Sequence, residues 1–284
     1  MANLPSSAVP ASGSLAKDFP RVLAYHKVTD FELGGTWMPA KRFARQMDAL
    51  LGAGFRFIDE ADFLDALEGR REGSNREILL TFDDGYRGLL ESAVPALEAR
   101  RIPALVFLVS AFVGKENTWE LRLPGRRFRH LGWDEIGDLA RRGFSFGSHA
   151  RTHRDLTRLP LESVRDELVR SKLELETRLG ARVQCLSYPF ARSTDAVCLE
   201  AARAGYRAAF TLYPKRARPI PDRFELRREG VYVIDTVGTI RNKLGEGLAF
   251  RLEDIKGRMI NSFAVLTPLI KGGLSRTNTS SRRH

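Results

Sequence analysis

Short runs of β-branched and aromatic residues alternate with longer segments of helical periodicity from Arg21 onward. The runs predict eight strands: Val22–His26, Phe55–Ile58, Ile78–Asp83, Ala104–Val109, Ser145–His149, Cys185–Phe190, Ala208–Leu212 and Val231–Ile234. This alternation is typical of βα units. It favours one α/β domain with parallel strands, arranged as a barrel or as an open sheet.

Two of the intervening segments, Lys41–Leu51 and Pro160–Leu179, have a clear apolar face. The faces consist of Phe43, Met47, Leu50 and Leu51 in the first segment, and of Leu161, Val164, Leu168, Leu175 and Leu179 in the second. Gly143 and Gly180 stand where helices are expected to end.

The strand pattern ends after Thr236, and apolar and basic residues are mixed from there to about Leu274. A helical extension packed on the domain is the favoured interpretation, and a helix lying on a membrane surface is the alternative. We therefore predict a flexible leader (residues 1–20), one α/β domain (21–235), a basic amphipathic extension (236–274) and a disordered tail (275–284).

Charge narrows the class of partner. The 284 residues include 46 Lys and Arg against 35 Asp and Glu, a formal net charge of +11. Such a charge suits nucleic acid, an anionic membrane or an acidic substrate. The basic residues are dispersed and no aromatic-and-basic recognition motif occurs, so we expect no nucleic-acid partner but retain peripheral contact with an anionic membrane.

The sequence shows no targeting signal and has few cysteines, and both features predict a cytoplasmic protein. Residues 1–20 lack the basic start and apolar centre of a secretory signal, and no apolar run approaches the roughly 18 residues of a membrane-spanning helix. Cys185 and Cys198 are too few for a disulfide framework. The oligomeric state is not predicted by any of these features.

Two adjacent carboxylates, Asp83 and Asp84, follow the apolar strand that begins at Ile78, and Gly85 permits a sharp turn after them. Neighbouring carboxylates repel each other unless a cation or a shared proton relieves the charge. One could bind a metal ion while the other acts as a base. The structural alternative is a helix cap or an Asx turn, because Asp before Gly is common in loops.

Two of the five histidines, His149 and His153, lie four residues apart at the end of another predicted strand. Two imidazoles and one carboxylate form a three-ligand set for a divalent metal ion that leaves positions open for water. Ordinary loop histidines are the alternative. Because the sequence also offers Asp83 and Asp84 at another strand end, the metal site is the favoured interpretation of the two histidines.

Two further strand ends carry polar or aromatic residues. His26 ends the first strand, where a lone histidine is more often structural than catalytic. Tyr188, Pro189 and Phe190 end the strand that begins at Cys185, and these side chains can line a sugar-sized groove or belong to the core.

Together these motifs resemble the polysaccharide deacetylase family, the metal-dependent amidohydrolases with a NodB-homology domain. The resemblance covers about Arg21 to Val233, and it rests on Thr81–Gly85, Ser148–His153 and Ser187–Phe190, with Leu131–Ile136 and Arg142–Phe144 leading into the histidine motif. It implies a single-domain, deformed (β/α) barrel of about seven strands, similar to a TIM barrel. It also implies removal of N-acetyl groups from amino sugars with Zn²⁺, or with Ni²⁺, Co²⁺ or Fe²⁺.

The resemblance assigns roles by matching position. Asp84, His149 and His153 would hold the metal ion, and Asp83 would be the general base. A backbone N–H near Tyr188 would stabilise the oxyanion, beside Pro189 and Phe190.

Two departures from the family pattern affect these roles. Many members carry an arginine in the third motif, where Ser187–Pro189 has none, so Arg227 or Arg228 is expected to supply that charge. Many members also use a late histidine as the general acid, but no histidine lies between His153 and His284. This chain resembles the branch of the family that has an N-terminal Tyr-His strand. The resemblance implies that His26 would take the place of that acid.

Three functions stay open. The first is deacetylation of a polysaccharide or exopolysaccharide precursor. The second is deacetylation or deformylation of a lipid-linked amino sugar at the inner membrane face, and the third is a catalytically silent carbohydrate-binding barrel. The loop Ala111–His130, with Trp119, Arg126 and Arg127, is compatible with covering the site or with lying in solvent.

Overall fold

The computed structural model describes residues 19–29, 36–118, 128–212, 214, 223–245 and 247–264. The strands in these ranges are β1 (Arg21–Tyr25), β2 (Lys27–Val28), β3 (Trp37–Met38), β4 (Arg56–Ile58), β5 (Glu77–Phe82), β6 (Leu105–Leu108), β7 (Ser145–Ser148), β8 (Cys185–Ser187), β9 (Ala208–Leu212) and β10 (Leu226–Gly230). The α-helices are α1 (Ala40–Gly52), α2 (Glu60–Leu67), α3 (Gly88–Ser92), α4 (Val94–Glu98), α5 (Trp133–Arg141), α6 (Leu161–Leu179), α7 (Asp195–Arg203), α8 (Val237–Leu244) and α9 (Gly247–Ala264).

Seven parallel strands form a closed barrel in the order β1-β10-β9-β8-β7-β6-β5, and pairing of β5 with β1 completes the ring. The deformation comes from β4, which pairs with the first half of β5, while β6 pairs with the second half. β2 and β3 form a separate small sheet. The predicted deformed barrel of about seven strands is therefore confirmed.

Apolar side chains fill the barrel from its amino end. Val22, Leu79, Leu105 and Leu226 line the interior, together with residues from the other strands. Phe63 of α2 is buried in the same cluster, so α2 closes this end of the barrel. The residues free for chemistry are therefore those at the opposite, carboxyl end.

The predicted strands end slightly too late at the positions that carry the polar motifs. β1 ends at Tyr25, β5 at Phe82 and β7 at Ser148, so His26, Asp83 and His149 each lie just beyond a strand. The two predicted helices are present as α1 and α6. The second ends as expected, because Gly180 adopts a left-handed conformation with φ of 64°.

The predicted strand Val231–Ile234 is wrong, because the strand is β10 at Leu226–Gly230. β10 contains three consecutive charged residues, Arg227, Arg228 and Glu229. A search for apolar runs therefore does not predict this strand. Arg228 points into the barrel, where carboxylate and hydroxyl partners replace apolar packing, and Arg227 pairs with Glu229.

The predicted extension begins with two helices. Ile240 and Leu244 of α8 are buried, whereas Leu248, Ile255 and Met259 of α9 are exposed. Most of the predicted leader, the rest of the extension and the predicted tail lie outside the described residues. Within the described ranges, no helix is both long and apolar enough to cross a membrane.

Candidate active site

Polar side chains from several strands converge at the carboxyl end of the barrel. His26 follows β1, Asp83 and Asp84 follow β5, and His149 follows β7. Arg228 reaches the same place from β10. Because all barrel strands are parallel, their carboxyl ends share one rim, and residues far apart in sequence meet there.

Among the described residues, only one group of three His, Cys, Asp or Glu side chains is close enough to hold a metal ion, and it consists of Asp84, His149 and His153. The Asp84 Oδ1 atom lies 3.6 Å from His149 Nε2 and 3.3 Å from His153 Nε2. Tetrahedral ligands about 2.1 Å from a zinc ion are about 3.4 Å apart. Both distances are close to this value, and all three ligand atoms lie within 4.8 Å of one another, so the three side chains can surround a single ion.

The two histidines are prepared to act as neutral ligands. The His149 Nδ1–H donates a hydrogen bond of 2.7 Å to the Ser187 carbonyl oxygen, so Nε2 keeps its lone pair and points toward Asp84. Burial lowers the pKa of His149 to about 4, against the opposing effect of Asp83. Burial and the neighbouring His149 also hold the pKa of His153 well below its usual value. Both imidazoles are neutral near pH 7.

The backbone around the three residues is strained, since Asp84, Ala150 and His153 have φ values of 69°, 59° and 56°. Hydrogen bonds from outside each loop hold this geometry. The Nδ1–H of His130 donates to the Asp84 carbonyl oxygen at 2.8 Å.

The loop between the two histidines is held by a carboxylate from α6. Glu167 Oε2 accepts hydrogen bonds from the backbone N–H groups of Arg151 (3.0 Å) and Thr152 (2.8 Å). Glu167 and His130 escape prediction from the sequence because they lie 15 and 46 residues from their partners Thr152 and Asp84. Their only sequence signal is residue type.

Asp83 is held by a buried arginine. Arg228 Nη1 and Nη2 donate to the two carboxylate oxygens at 2.8 and 2.7 Å, and the arginine side chain is fully buried. Burial alone would raise the pKa of Asp83, but the charge of Arg228, with a smaller contribution from His149, holds that pKa far below its usual range. Asp83 is therefore a carboxylate at any working pH.

Arg228 has further contacts that fix its plane. It donates to Thr81 Oγ1 at 3.1 Å and to Ser187 Oγ at 2.8 Å, and its guanidinium carbon lies 5.4 Å from the Phe107 ring centre. Arg227 instead pairs with Glu229 and Asp254. Of the two arginines considered from the sequence, only Arg228 contacts Asp83.

Ser187 joins the two halves of the site. Its hydroxyl oxygen accepts from Arg228, and its carbonyl oxygen accepts from His149. The guanidinium that contacts Asp83 therefore comes from β10 and not from the third motif, and Ser187 supplies a small hydrogen-bonding neighbour for it.

His26 lies beside Asp83 at the edge of the site. Its Nε2 atom is 3.9 Å from Asp83 Oδ2, and its side chain is 19% exposed. This distance exceeds that of a hydrogen bond. The two side chains therefore do not hydrogen-bond to each other, but they are close enough for one substrate to contact both.

The three residues predicted to line the substrate differ in their surroundings. The Tyr188 N–H donates to the Phe210 carbonyl oxygen at 3.1 Å, and the Tyr188 hydroxyl donates to the Phe224 carbonyl oxygen at 2.9 Å. Because Pro189 has no N–H, the next backbone donor is that of Phe190. The Phe190 ring lies 4.8 Å from the His153 ring.

Of the predicted loop Ala111–His130, residues 119–127 lie outside the described residues, and these include Trp119, Arg126 and Arg127.

The known proteins that this chain resembles are named as deacetylases. The family model described as polysaccharide deacetylase matches residues 70–209, a range that contains Asp83, Asp84, His149 and His153 but neither His26 nor Arg228. YxkH of Bacillus subtilis, named provisionally as a polysaccharide deacetylase, is 23% identical over 83% of this chain and 76% of its own length.

Two further proteins are similar over most of their length. The poly-β-1,6-N-acetyl-D-glucosamine N-deacetylase of Staphylococcus epidermidis is 23% identical over 76% of this chain and 78% of its own. The structure of the Streptococcus pyogenes deacetylase PplD in complex with acetate superposes with a TM-score of 0.70, at 19% identity, over 81% of this chain and 99% of that one. At that identity the structural likeness concerns the fold.

Proposed function

The chain belongs to the polysaccharide deacetylase family, and we propose that it hydrolyses N-acetyl groups from amino-sugar residues of a polysaccharide. The observation that carries this proposal is the placement of the Asp84, His149 and His153 cluster beside a carboxylate, Asp83, that Arg228 keeps ionised. Amide hydrolysis requires both an activated water molecule and a group to accept its proton.

The cluster is proposed to hold a divalent metal ion. Two imidazole nitrogens and one carboxylate oxygen match a catalytic zinc site, and Ni²⁺, Co²⁺ and Fe²⁺ accept the same ligands. When bound, such an ion lowers the pKa of water and polarises the amide carbonyl.

Asp83 is the proposed base. It accepts the proton of the attacking water, while the bidentate contact with Arg228 fixes both of its oxygens. The charge of Arg228 keeps the pKa of Asp83 far below its usual range, so the carboxylate is ionised and available to accept that proton.

His26 is the proposed donor to the leaving amine. Its Nε2 atom is close enough to Asp83 for both groups to face one substrate, and its side chain is reached by solvent. The carbon–nitrogen bond then breaks, acetate is released and the amine leaves protonated. The backbone N–H of Phe190 is the proposed donor to the oxygen that develops negative charge.

The substrate is proposed to extend beyond one sugar. A cavity of about 620 Å³ opens beside the segments that follow β1 and β5, and it is lined by Lys27, Tyr86, Arg87 and Phe128 among others. Lys27 and Tyr86 come directly after the motifs of His26 and Asp84–Gly85 in the sequence. The Staphylococcus epidermidis relative is named for a polymer of N-acetylglucosamine. A polymer of this kind would place sugars next to the reacting one in this cavity.

A lipid-linked amino sugar is the second candidate substrate, favoured by the exposed apolar residues of α9. Acetate release from a panel of N-acetylated oligosaccharides of increasing length, and from lipid-linked amino sugars, separates the two. Activity that rises with oligosaccharide length supports the polymer. Activity confined to the lipid-linked compounds contradicts it, and glycan binding without any acetate release would indicate a silent carbohydrate-binding barrel.

A further inference from the structure

The outer face of α9 is apolar. Leu248, Leu252, Ile255 and Met259 are 74%, 59%, 57% and 58% exposed. Their spacing of four, three and four residues places them along one side of the helix. We call these four residues the α9 stripe. A stripe of this kind in a helix attached to a folded domain normally faces the core, whereas here it faces outward.

Charged contacts on the other faces of the helix fix this orientation. Asp254 pairs with Arg227 of β10 at 2.6 Å, and Lys256 lies 3.4 Å from the buried carboxylate of Asp235. Arg258 donates to the carbonyl oxygen of Pro214 at 3.2 Å. Turning the α9 stripe inward would break all three contacts, so the stripe is held in solvent by the rest of the fold.

We propose that the α9 stripe docks on an anionic membrane surface. Arg251 is exposed beside the stripe, while the acidic residues Glu253 and Asp254 pair with Lys256, Arg227 and Arg258. An amphipathic helix with an apolar face and adjacent cations binds at the boundary between headgroups and acyl chains.

The charge of the chain favours lipid over a second copy as the occupant. Residues 265–284, which continue from α9, contain Lys271, Arg276, Arg282 and Arg283 and no acidic residue. Each basic residue near an anionic surface adds attraction. Two copies that met through this face would instead bring together two chains of net charge +11.

Docking through α9 would bring the carboxyl rim of the barrel to the membrane. Pro214 and Asp235, which α9 contacts, follow β9 and β10 at the end that carries the candidate active site. The proposal concerns binding alone and does not depend on the proposed catalytic activity.

Sedimentation of the full chain with lipid vesicles tests the proposal. We expect binding to vesicles containing phosphatidylglycerol, weaker binding to pure phosphatidylcholine vesicles, and a decrease as the salt concentration rises. The double variant Leu252→Ser and Ile255→Ser should bind at least about tenfold more weakly, because two apolar side chains no longer enter the bilayer.

The matched control is Leu161→Ser with Leu173→Ser, which changes two exposed leucines of α6 that are 50% and 62% exposed. This variant should bind like the unchanged chain, and circular dichroism should show that both double variants are folded. Absence of binding to anionic vesicles, or equal losses in the two double variants, would overturn the proposal. So would a dimer that the α9 variant alone converts to a monomer, because the stripe would then belong to a second copy.

Discussion

Arg228 donates two hydrogen bonds to the carboxylate of Asp83, at 2.8 and 2.7 Å, across a separation of 145 residues. The pair joins β10 to the end of β5 inside the barrel, and neither side chain is more than 4% exposed. A buried ion pair of this geometry fixes the position of the carboxylate. Removing one partner leaves the other charge buried without compensation.

The first prediction concerns stability. Arg228→Met should lower the free energy of unfolding by about 3–5 kcal/mol, because Asp83 is left as an unpaired buried carboxylate. Arg142→Met is the control, since Arg142 and its partners Glu98 and Asp138 are all at least 35% exposed, and it should cost about 1 kcal/mol or less. Urea unfolding of the two variants measures the difference, and equal losses would contradict the role given to Arg228.

The second prediction concerns Ser187. Ser187→Ala removes the hydroxyl acceptor of Arg228 but keeps the carbonyl oxygen that orients His149. We expect kcat to fall by roughly tenfold, as for loss of one hydrogen bond to a charged group, while metal content is unchanged. Steady-state kinetics and elemental analysis of the same sample provide both values. Loss of the metal with the hydroxyl would refute this division of roles.

The third prediction concerns the loop between the metal-binding histidines. Glu167→Ala removes the acceptor for the N–H groups of Arg151 and Thr152, so His153 is held less firmly in its left-handed conformation. Affinity for zinc should fall by about 10- to 100-fold, as is usual when a group that supports metal ligands is removed. Competition with a chelator measures it. Glu174→Ala, which loses a pair with Arg151 at a partly exposed position, should retain the original affinity.

The fourth prediction concerns pH and lies at the closed end of the barrel. Burial raises the pKa of Glu60 from 4.5 to about 7, although the thiol of Cys185 donates a hydrogen bond to it. The folded state therefore binds the proton more tightly than the unfolded chain. Stability from this group is greatest below pH 4.5 and declines until the pH passes about 7.

Glu60→Gln should remove that decline. Above pH 7 the variant should be more stable than the original chain by about 3 kcal/mol, and near pH 4.5 the two should be similar. Urea unfolding across this pH range gives the comparison. Two curves that run parallel would show that Glu60 is not protonated in the folded state.

The residues that follow buried strands can be predicted from the sequence. Asp83, Asp84 and His149 stand directly after apolar runs, and the parallel strands of a barrel bring such positions to one rim. His153 follows because it is four residues from His149. For these side chains, the hydrophobic pattern is enough to predict that they lie together at one end of the barrel.

Arg228 illustrates where this reasoning ends. With a strand predicted at Val231–Ile234, the sequence places both Arg227 and Arg228 in a connecting segment and gives neither a direction. Once β10 is known to be Leu226–Gly230, alternation along the strand sends Arg228 inward and Arg227 outward. Contacts of His130 and Glu167 depend on tertiary packing, which no local pattern records.

Metal binding by variants of the site tests the central claim most directly. Metal-stripped protein titrated with zinc should bind one ion per chain, and His149→Ala with His153→Ala should abolish binding. Asp83→Asn, checked by circular dichroism to be folded after losing its ion pair with Arg228, should bind zinc like the original chain, because the metal ligands remain. It should release acetate at least about 100-fold more slowly, because the base is lost. Zinc binding that survives the loss of both histidines, or full activity in Asp83→Asn, would contradict the account.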